Sequence, residues 1–282
     1  MKQYLRIKVE TVPFPTDILT GFLWGLSPSG IEEEDDVLFL YFNNKDMRII
    51  GEIERVLNEI RNSGFINSFT ITQEIHDYKN WNEEWERSLN IIKVTEKIVI
   101  KPTFREYEPK PNEIVILIDP KMSFGTGEHQ TTRLIIQLLE KYIRTGMNVL
   151  DAGTGTGILA ITAVKLGADH AIGFDNDELC LVNGLENVEL NLLQDKVEIK
   201  LAEINDIDSF NFDLVIANIQ KNVLINIADD LNKRLKKNGI LMLSGLLTSD
   251  EEDINKKYGS IGFEFVEKLQ MDEWIGLVYK KL

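Results

Sequence analysis

The stretch VLDAGTGTGILA, residues 149–160, places a glycine at every second position between a strand-like apolar run and a helix-like apolar run. Gly153, Gly155 and Gly157 suit a tight turn at which a ligand can approach the backbone closely. The surroundings supply the strand and helix that such a turn must join. From about residue 131 a helix TTRLIIQLLEKYI leads to NVLDAG, and GILAITAVKLG and HAIGFD follow as helix and strand. Then come the helix DELCLVNGLENVELNLL, the strands KVEIKLAE and FDLVIANI, a helix through Leu235, and the strand GILMLSGLL. Strands alternating with helices at this pace predict an α/β fold with a mostly parallel, Rossmann-like sheet covered on both faces. The tail FEFVEKLQMDEWIGLVYKK holds two alternating strands and a short turn, so an antiparallel hairpin should close the sheet.

The glycine spacing discriminates between ligands. A dinucleotide fingerprint carries its third glycine three residues after the second, where this chain has Ile158 and places the glycine one residue early. GxGxG preceded by the acidic Asp151 is the pattern of S-adenosylmethionine-dependent methyltransferases. A carboxylate at Asp151 would repel a pyrophosphate but attracts the amino group of a methionine moiety, directly or through water. The next strand ends in Asp175, where a carboxylate can accept both ribose hydroxyls. FDLVIAN ends in Asn218 at the carboxyl end of a buried strand, the edge that lines the ligand crevice in such sheets. Its amide either orients an acceptor amine toward the transferable methyl or satisfies a turn.

A second glycine-rich stretch, MSFGTGEHQTT at residues 122–132, resembles a phosphate loop but lacks the lysine of GxxxxGK[ST]. It reads instead as a lid over the same ligand. Gly125 and Gly127 would give it mobility, Phe124 would cover the cofactor or flank the amine, and Thr126 would offer a hydroxyl. Thr132 opens a helix whose N-terminal amides can receive a carboxylate. His129 is either a general base or a residue that holds the loop's shape. Cys180 is expected on a buried helix face without a role. His76 and His170 lack a partner cluster, so no metal site is expected.

Ahead of this region the chain reads as a small α+β unit of the ferredoxin-like type at residues 1–75, with one strand poorly marked. Its strands are QYLRIKVE, DDVLFLYF and FINSFTITQEI. Its helices are PTDILTGFLWGL, with Ile18, Phe22 and Leu26 at helical spacing, and IIGEIERVLNEIRNSG. Residues 76–100 read as a linker helix and connection, with Trp81 and Trp85 as interdomain anchors, and residues 101–282 as the second domain. KIVIKPTF and EIVILIDP read as strands joined by REYEPKPNE, a loop or hairpin.

The 46 acidic residues outnumber the 31 basic ones, giving a formal net charge of −15. That disfavours broad contact with nucleic-acid phosphates and favours a basic partner. No apolar run approaches a membrane span, the N-terminus lacks a secretory pattern, and there is 1 cysteine, so the expected compartment is the cytoplasm. A monomer is expected.

NWNEEW, DPKMSFGTGEHQTT, VLDAGTGTGILAI, GFDND, FDLVIANI and DEWIGLVYKK together carry a resemblance to the bacterial ribosomal protein L-eleven methyltransferase (PrmA) family along essentially the whole chain. The FGTGxHxTT stretch is its most specific element, since GxGxG marks only the superfamily. The resemblance implies a class I methyltransferase domain behind a small N-terminal domain that recognises a basic ribosomal protein. It implies S-adenosylmethionine as methyl donor, S-adenosylhomocysteine as product, and trimethylation of lysine ε-amines and the α-amine. It carries cofactor positions onto Thr132, Gly153, Asp175 and Asn218, and Gly155 belongs to the same turn. The competing readings are a methyltransferase of another protein lysine or of a nucleic-acid amine, a nicotinamide-dependent oxidoreductase, and a non-catalytic ribosome-binding module.

Overall fold

The structure is a computed structural model that describes residues 3–43, 48–77, 89–119, 123 and 125–282. The chain divides into two compact units, residues 1–84 and 85–282.

The first unit is a four-stranded antiparallel sheet of β1 (Gln3–Val12), β2 (Gly30–Glu34), β3 (Val37–Phe42) and β4 (Ser68–Asp77), in the order β2-β3-β1-β4. Helices α1 (Thr16–Leu23) and α2 (Arg48–Asn62) complete the βαββαβ arrangement expected of a ferredoxin-like unit. The poorly marked strand is β2, GIEEE, which hairpins onto β3 through Asp35 and Asp36, both at positive φ. Its three glutamates hide the alternation because it is an edge strand with one side open to solvent. Leu19 and Leu23 of α1 are fully buried; of the stripe drawn through Ile18, Phe22 and Leu26, Ile18 and Leu26 pack partly buried against the same core and Phe22 alone is exposed. Leu19 and Leu23 sit four apart on the side that joins the core of Leu5, Ile7 and Leu40.

The second unit is built on a seven-stranded sheet in the order β10-β9-β8-β11-β12-β14-β13. Its strands are β8 (Asn148–Ala152), β9 (His170–Asp175), β10 (Val197–Leu201), β11 (Phe212–Asn218), β12 (Leu235–Leu247), β13 (Phe263–Met271) and β14 (Trp274–Lys281). The first five pair in parallel, and β14 is antiparallel to both β12 and β13. One face is covered by α3 (Gln130–Tyr142), α4 (Ile158–Lys165) and α5 (Glu178–Leu190). The other is covered by α6 (Lys221–Asn226), α7 (Ala228–Arg234) and α8 (Glu251–Ser260). Strand order reverses between β8 and β11, so the carboxyl ends of those two strands flank the crevice where such sheets bind ligands.

A separate three-stranded sheet joins β5 (Ile92–Lys93), β6 (Ile98–Lys101) and β7 (Ile114–Leu117). β6 and β7 pair in parallel, so REYEPKPNE is a crossover loop and not a hairpin turn. Ile92, Ile98 and Ile100, from the stretch read as connection, are buried in the same core as α3 and α4. The expected linker helix with Trp81 and Trp85 lies outside the described residues. Among the described residues no helix is long and apolar enough to cross a membrane.

Candidate active site

The glycine turn is held by its neighbours atom by atom. Gly153 N and Thr154 N both donate to Phe174 O, at 2.9 and 3.0 Å, and Gly155 N donates to Asp175 Oδ2 at 3.0 Å. Gly153, Gly155 and Gly157 all have positive φ, which explains the alternation of glycine. At Gly153 a Cβ would also stand 2.5 Å from Ile219 Cγ2, so the turn and the end of β11 are in close contact. Asp175 therefore serves the turn as well as facing outward: its Oδ1 accepts from Asp177 N at 3.2 Å.

A cavity of about 830 Å³ opens at the β8/β11 crevice, within the range of small-molecule sites. Its wall includes Gly153 and Gly155 of the turn, Asp175 and Glu203 at the tips of β9 and β10, and Asn218 and Gln220 at the end of β11. Asn218 pairs in register with Ser244, and the Ser244 hydroxyl donates to Ile275 O at 2.8 Å. Three adjacent strand tips thus bring Asn218, Gly245 and Trp274 onto one wall. Asn218 Oδ1 is buried and has no hydrogen-bond partner among the described residues. That is an acceptor withdrawn from solvent, costly unless some donor meets it.

The 123–132 stretch forms part of the same wall through Ser123, His129 and Thr131. His129 caps α3: its Nδ1 accepts from Thr131 N at 3.3 Å and lies 2.8 Å from Thr131 Oγ1. Its ring meets Trp274 edge-on with centroids 4.8 Å apart. Gly125 and Gly127 are both buried at positive φ against packed neighbours. A Cβ at Gly125 would meet Thr156 Oγ1 at 2.6 Å, and one at Gly127 would meet Ile100 Cδ1 at 2.5 Å. Thr126 Oγ1 accepts from Glu128 N at 3.1 Å, and neither Thr126 nor the two glycines is on the cavity wall. Thr132 lies in the first turn of α3, which begins at Gln130; it is buried, its hydroxyl has no partner among the described residues, and it is also off the wall, where Thr131 stands instead. Phe124 lies outside the described residues.

Asp151 is wholly buried beneath the turn, accepting at Oδ2 from Thr154 Oγ1 at 2.7 Å and Ala160 N at 3.3 Å. Burial pushes its pKa up to about 7, against the opposing effect of those two hydrogen bonds. Cys180 is buried as expected but contributes to the cavity wall, and burial raises its thiol pKa to about 11. The sequence pattern alone does not single out Glu203, Gln220 or Thr131 as wall residues. Glu203 and Gln220 each follow a strand tip closely, a signal that strand-end bookkeeping could have used.

Residues 27–282 match the family described as ribosomal protein L11 methyltransferase (PrmA). The chain is 36% identical to the ribosomal protein L11 methyltransferase of Clostridium perfringens, with 98% of each chain covered. It is 35% identical to that of Ruminiclostridium cellulolyticum, covering 88% of this chain and 79% of the relative. Among solved structures, a ribosomal protein L11 methylase from Lactobacillus delbrueckii subsp. bulgaricus superposes with a TM-score of 0.64 at 30% identity. That superposition covers 68% of this chain and 98% of the other.

Proposed function

Because this chain belongs to the PrmA family of ribosomal protein L11 methyltransferases, which are S-adenosylmethionine-dependent, we propose that it methylates amines of ribosomal protein L11. The amines are lysine ε-amines and the α-amine. The observation that carries this reading is Asn218 Oδ1, a buried acceptor on the cavity wall at the strand-order reversal that has no hydrogen-bond partner among the described residues.

The residues present fit the methyl donor. Gly153 and Gly155 present backbone without side chains to the cavity, and Asp175 and Glu203, at and just past the ends of neighbouring strands, both line it. Asp175, Gly153 and Gly155 would hold the nucleoside end, and Asp151 beneath the turn would favour a cationic amino group. When bound, the donor supplies a methyl carbon activated by a sulfonium leaving group. The protein's part is then positioning, worth several kcal/mol. Asn218 Oδ1 can accept a hydrogen bond from the incoming amine and so aim its lone pair. A lysine amine, with an ordinary pKa near about 10.4, must arrive neutral, and a partly apolar cavity favours the neutral form. We therefore assign no general base; His129 is engaged as a helix cap. Residues 1–75 are assigned to recognition of the basic ribosomal protein, residues 76–100 to the connection and residues 101–282 to catalysis. The enzyme acts as a cytoplasmic monomer without nucleic-acid specificity.

The test is transfer of labelled methyl from S-adenosylmethionine to unmethylated ribosomal protein L11 by the intact chain, with the product weighed by mass spectrometry. Incorporation into L11 amines is the expected result. Binding of S-adenosylmethionine without transfer to L11 would move the assignment to another acceptor. Tight NADH binding without S-adenosylmethionine binding would overturn it.

A further inference from the structure

Thr156 is fully buried and does not reach the cavity wall, yet it bonds on one side to the segment that helps form that wall and on the other to α5. Its hydroxyl donates to Gly125 O at 2.7 Å. Its carbonyl accepts from Asn187 Nδ2 at 3.0 Å, and Asn187 Oδ1 in turn accepts from Asp119 N at 2.9 Å. Asn183 Nδ2 adds a bond to Asp119 O at 2.7 Å. One helix, α5, therefore grips the end of the β7 strand with side-chain amides, and passes that grip to the glycine turn through Thr156. Asn191, one turn further along, does the same at Leu117, accepting from its N at 3.0 Å and donating to its O at 2.7 Å.

We propose that Thr156 is a positioning residue, holding Gly125 and Asp119 in register with the glycine turn so that the cavity floor and its Ser123–His129–Thr131 wall stay at a fixed separation. This rests on the reading of the cavity as the S-adenosylmethionine site. The floor residue Gly155 immediately precedes Thr156, so the register is set within one residue of the ligand surface. Gly125 is glycine because the contact is too close for a side chain, with φ +111 and a Cβ position 2.6 Å from the Thr156 hydroxyl. The two bonds that Thr156 itself makes, to Gly125 and Asn187, are buried, where a directed bond sets position more firmly than packing alone.

Three variants test this: Thr156→Val removes the donor at near-constant volume, Thr156→Ala removes it without added bulk, and Thr156→Ser restores it. Calorimetry measures affinity for S-adenosylhomocysteine, and amide hydrogen exchange is followed at residues 125–129 and, as a reference, along β8 and α4. Thr156→Val and Thr156→Ala are expected to weaken S-adenosylhomocysteine by about tenfold, the size of one buried hydrogen bond. Exchange should quicken at residues 125–129 and stay unchanged in β8 and α4, with Thr156→Ser like wild type. A purely structural role would instead raise exchange throughout the unit and overturn the proposal, as would wild-type affinity in Thr156→Val or Thr156→Ala. Should Thr156→Val fold poorly, the comparison of Ala with Ser decides. Failure of the wild-type protein to bind S-adenosylhomocysteine is a different result, and overturns the cofactor reading itself.

Discussion

The Thr154 hydroxyl donates to Asp151 Oδ2 across 2.7 Å, while Asp151 Oδ1 is buried without a hydrogen-bond partner among the described residues. The carboxylate is thus half satisfied beneath a turn built to receive a ligand. In strand β9, Gly173 admits this arrangement: a Cβ there would lie 2.5 Å from Thr154 Oγ1. A half-satisfied buried carboxylate has a price in the ligand-free protein that a cationic ligand group can offset.

Asp151 should make the ligand-free protein less stable as pH rises. Its folded pKa is about 7, whereas an unfolded aspartate titrates near about 3.9. Between those values the folded state keeps a proton that the unfolded chain has released, so its contribution to stability is present below pH 4 and is lost on the way to pH 7. The full span is on the order of 4 kcal/mol. Asp151→Asn removes this dependence. Thermal unfolding from pH 5 to pH 8 should show wild type losing Tm relative to the variant; parallel curves would refute the assignment.

Asn218→Ala should lower kcat by about 10- to 100-fold while S-adenosylhomocysteine affinity changes less, because the amide oxygen is assigned to the acceptor amine. Asn218→Asp is the sharper probe. A carboxylate there stabilises an ammonium, so the acceptor deprotonates at higher pH and the pH–rate profile moves upward. Equal effects of Asn218→Ala on kcat and on S-adenosylhomocysteine binding would argue that this residue serves only the donor.

His129 caps α3 and packs on Trp274, so His129→Ala should reduce rate by about tenfold or less and leave the pH profile in place. A larger loss, accompanied by disappearance of a limb of the profile near neutrality, would establish a general base instead.

What could be read from the chain alone divides by range of interaction. The glycine turn, Asp175 at a strand tip and Asn218 at the next crevice edge follow from local pattern, because strand–turn–helix chemistry is written within about a dozen residues. The edge strand β2 was not legible, since its GIEEE sequence has a polar face to solvent and little to bury. Parallel pairing of β6 with β7 was hidden because a Pro-containing connection serves a hairpin or a crossover equally well. Thr156–Gly125 and Thr156–Asn187 each join residues 31 positions apart, and nothing in local periodicity announces such pairs. Trp274 reaches the wall only through the β12–β14 register.

Removal of the first unit should separate binding from recognition, provided the cut respects the core. Ile92, Ile98 and Ile100 belong to the core of the second unit, so a protein beginning at residue 101 would lose three buried isoleucines, each worth roughly 1.5–3 kcal/mol. A protein beginning at Trp85 keeps them. It should bind S-adenosylhomocysteine like the full chain and fail to methylate ribosomal protein L11. Full activity in that protein would contradict a recognition role for residues 1–75.

Gly245 should be intolerant of a side chain for a reason that bears on Asn218. Its φ is +80, and a Cβ would stand 2.5, 2.8 and 2.9 Å from the O, C and N atoms of Ile219, backbone that cannot swing aside as a side chain can. Gly245→Ala must therefore displace the Asn218–Ile219 turn, at a cost of about 2–4 kcal/mol. Gly259 provides the contrast: it lies in α8 with nothing within 4 Å of its Cβ position and an ordinary φ. Alanine there should stabilise by roughly 0.5–1 kcal/mol through helix propensity alone. Denaturant unfolding of the two variants should give shifts of opposite sign, with methyl transfer reduced only in Gly245→Ala. Equal tolerance at both positions would mean that the end of β12 does not set the position of Asn218.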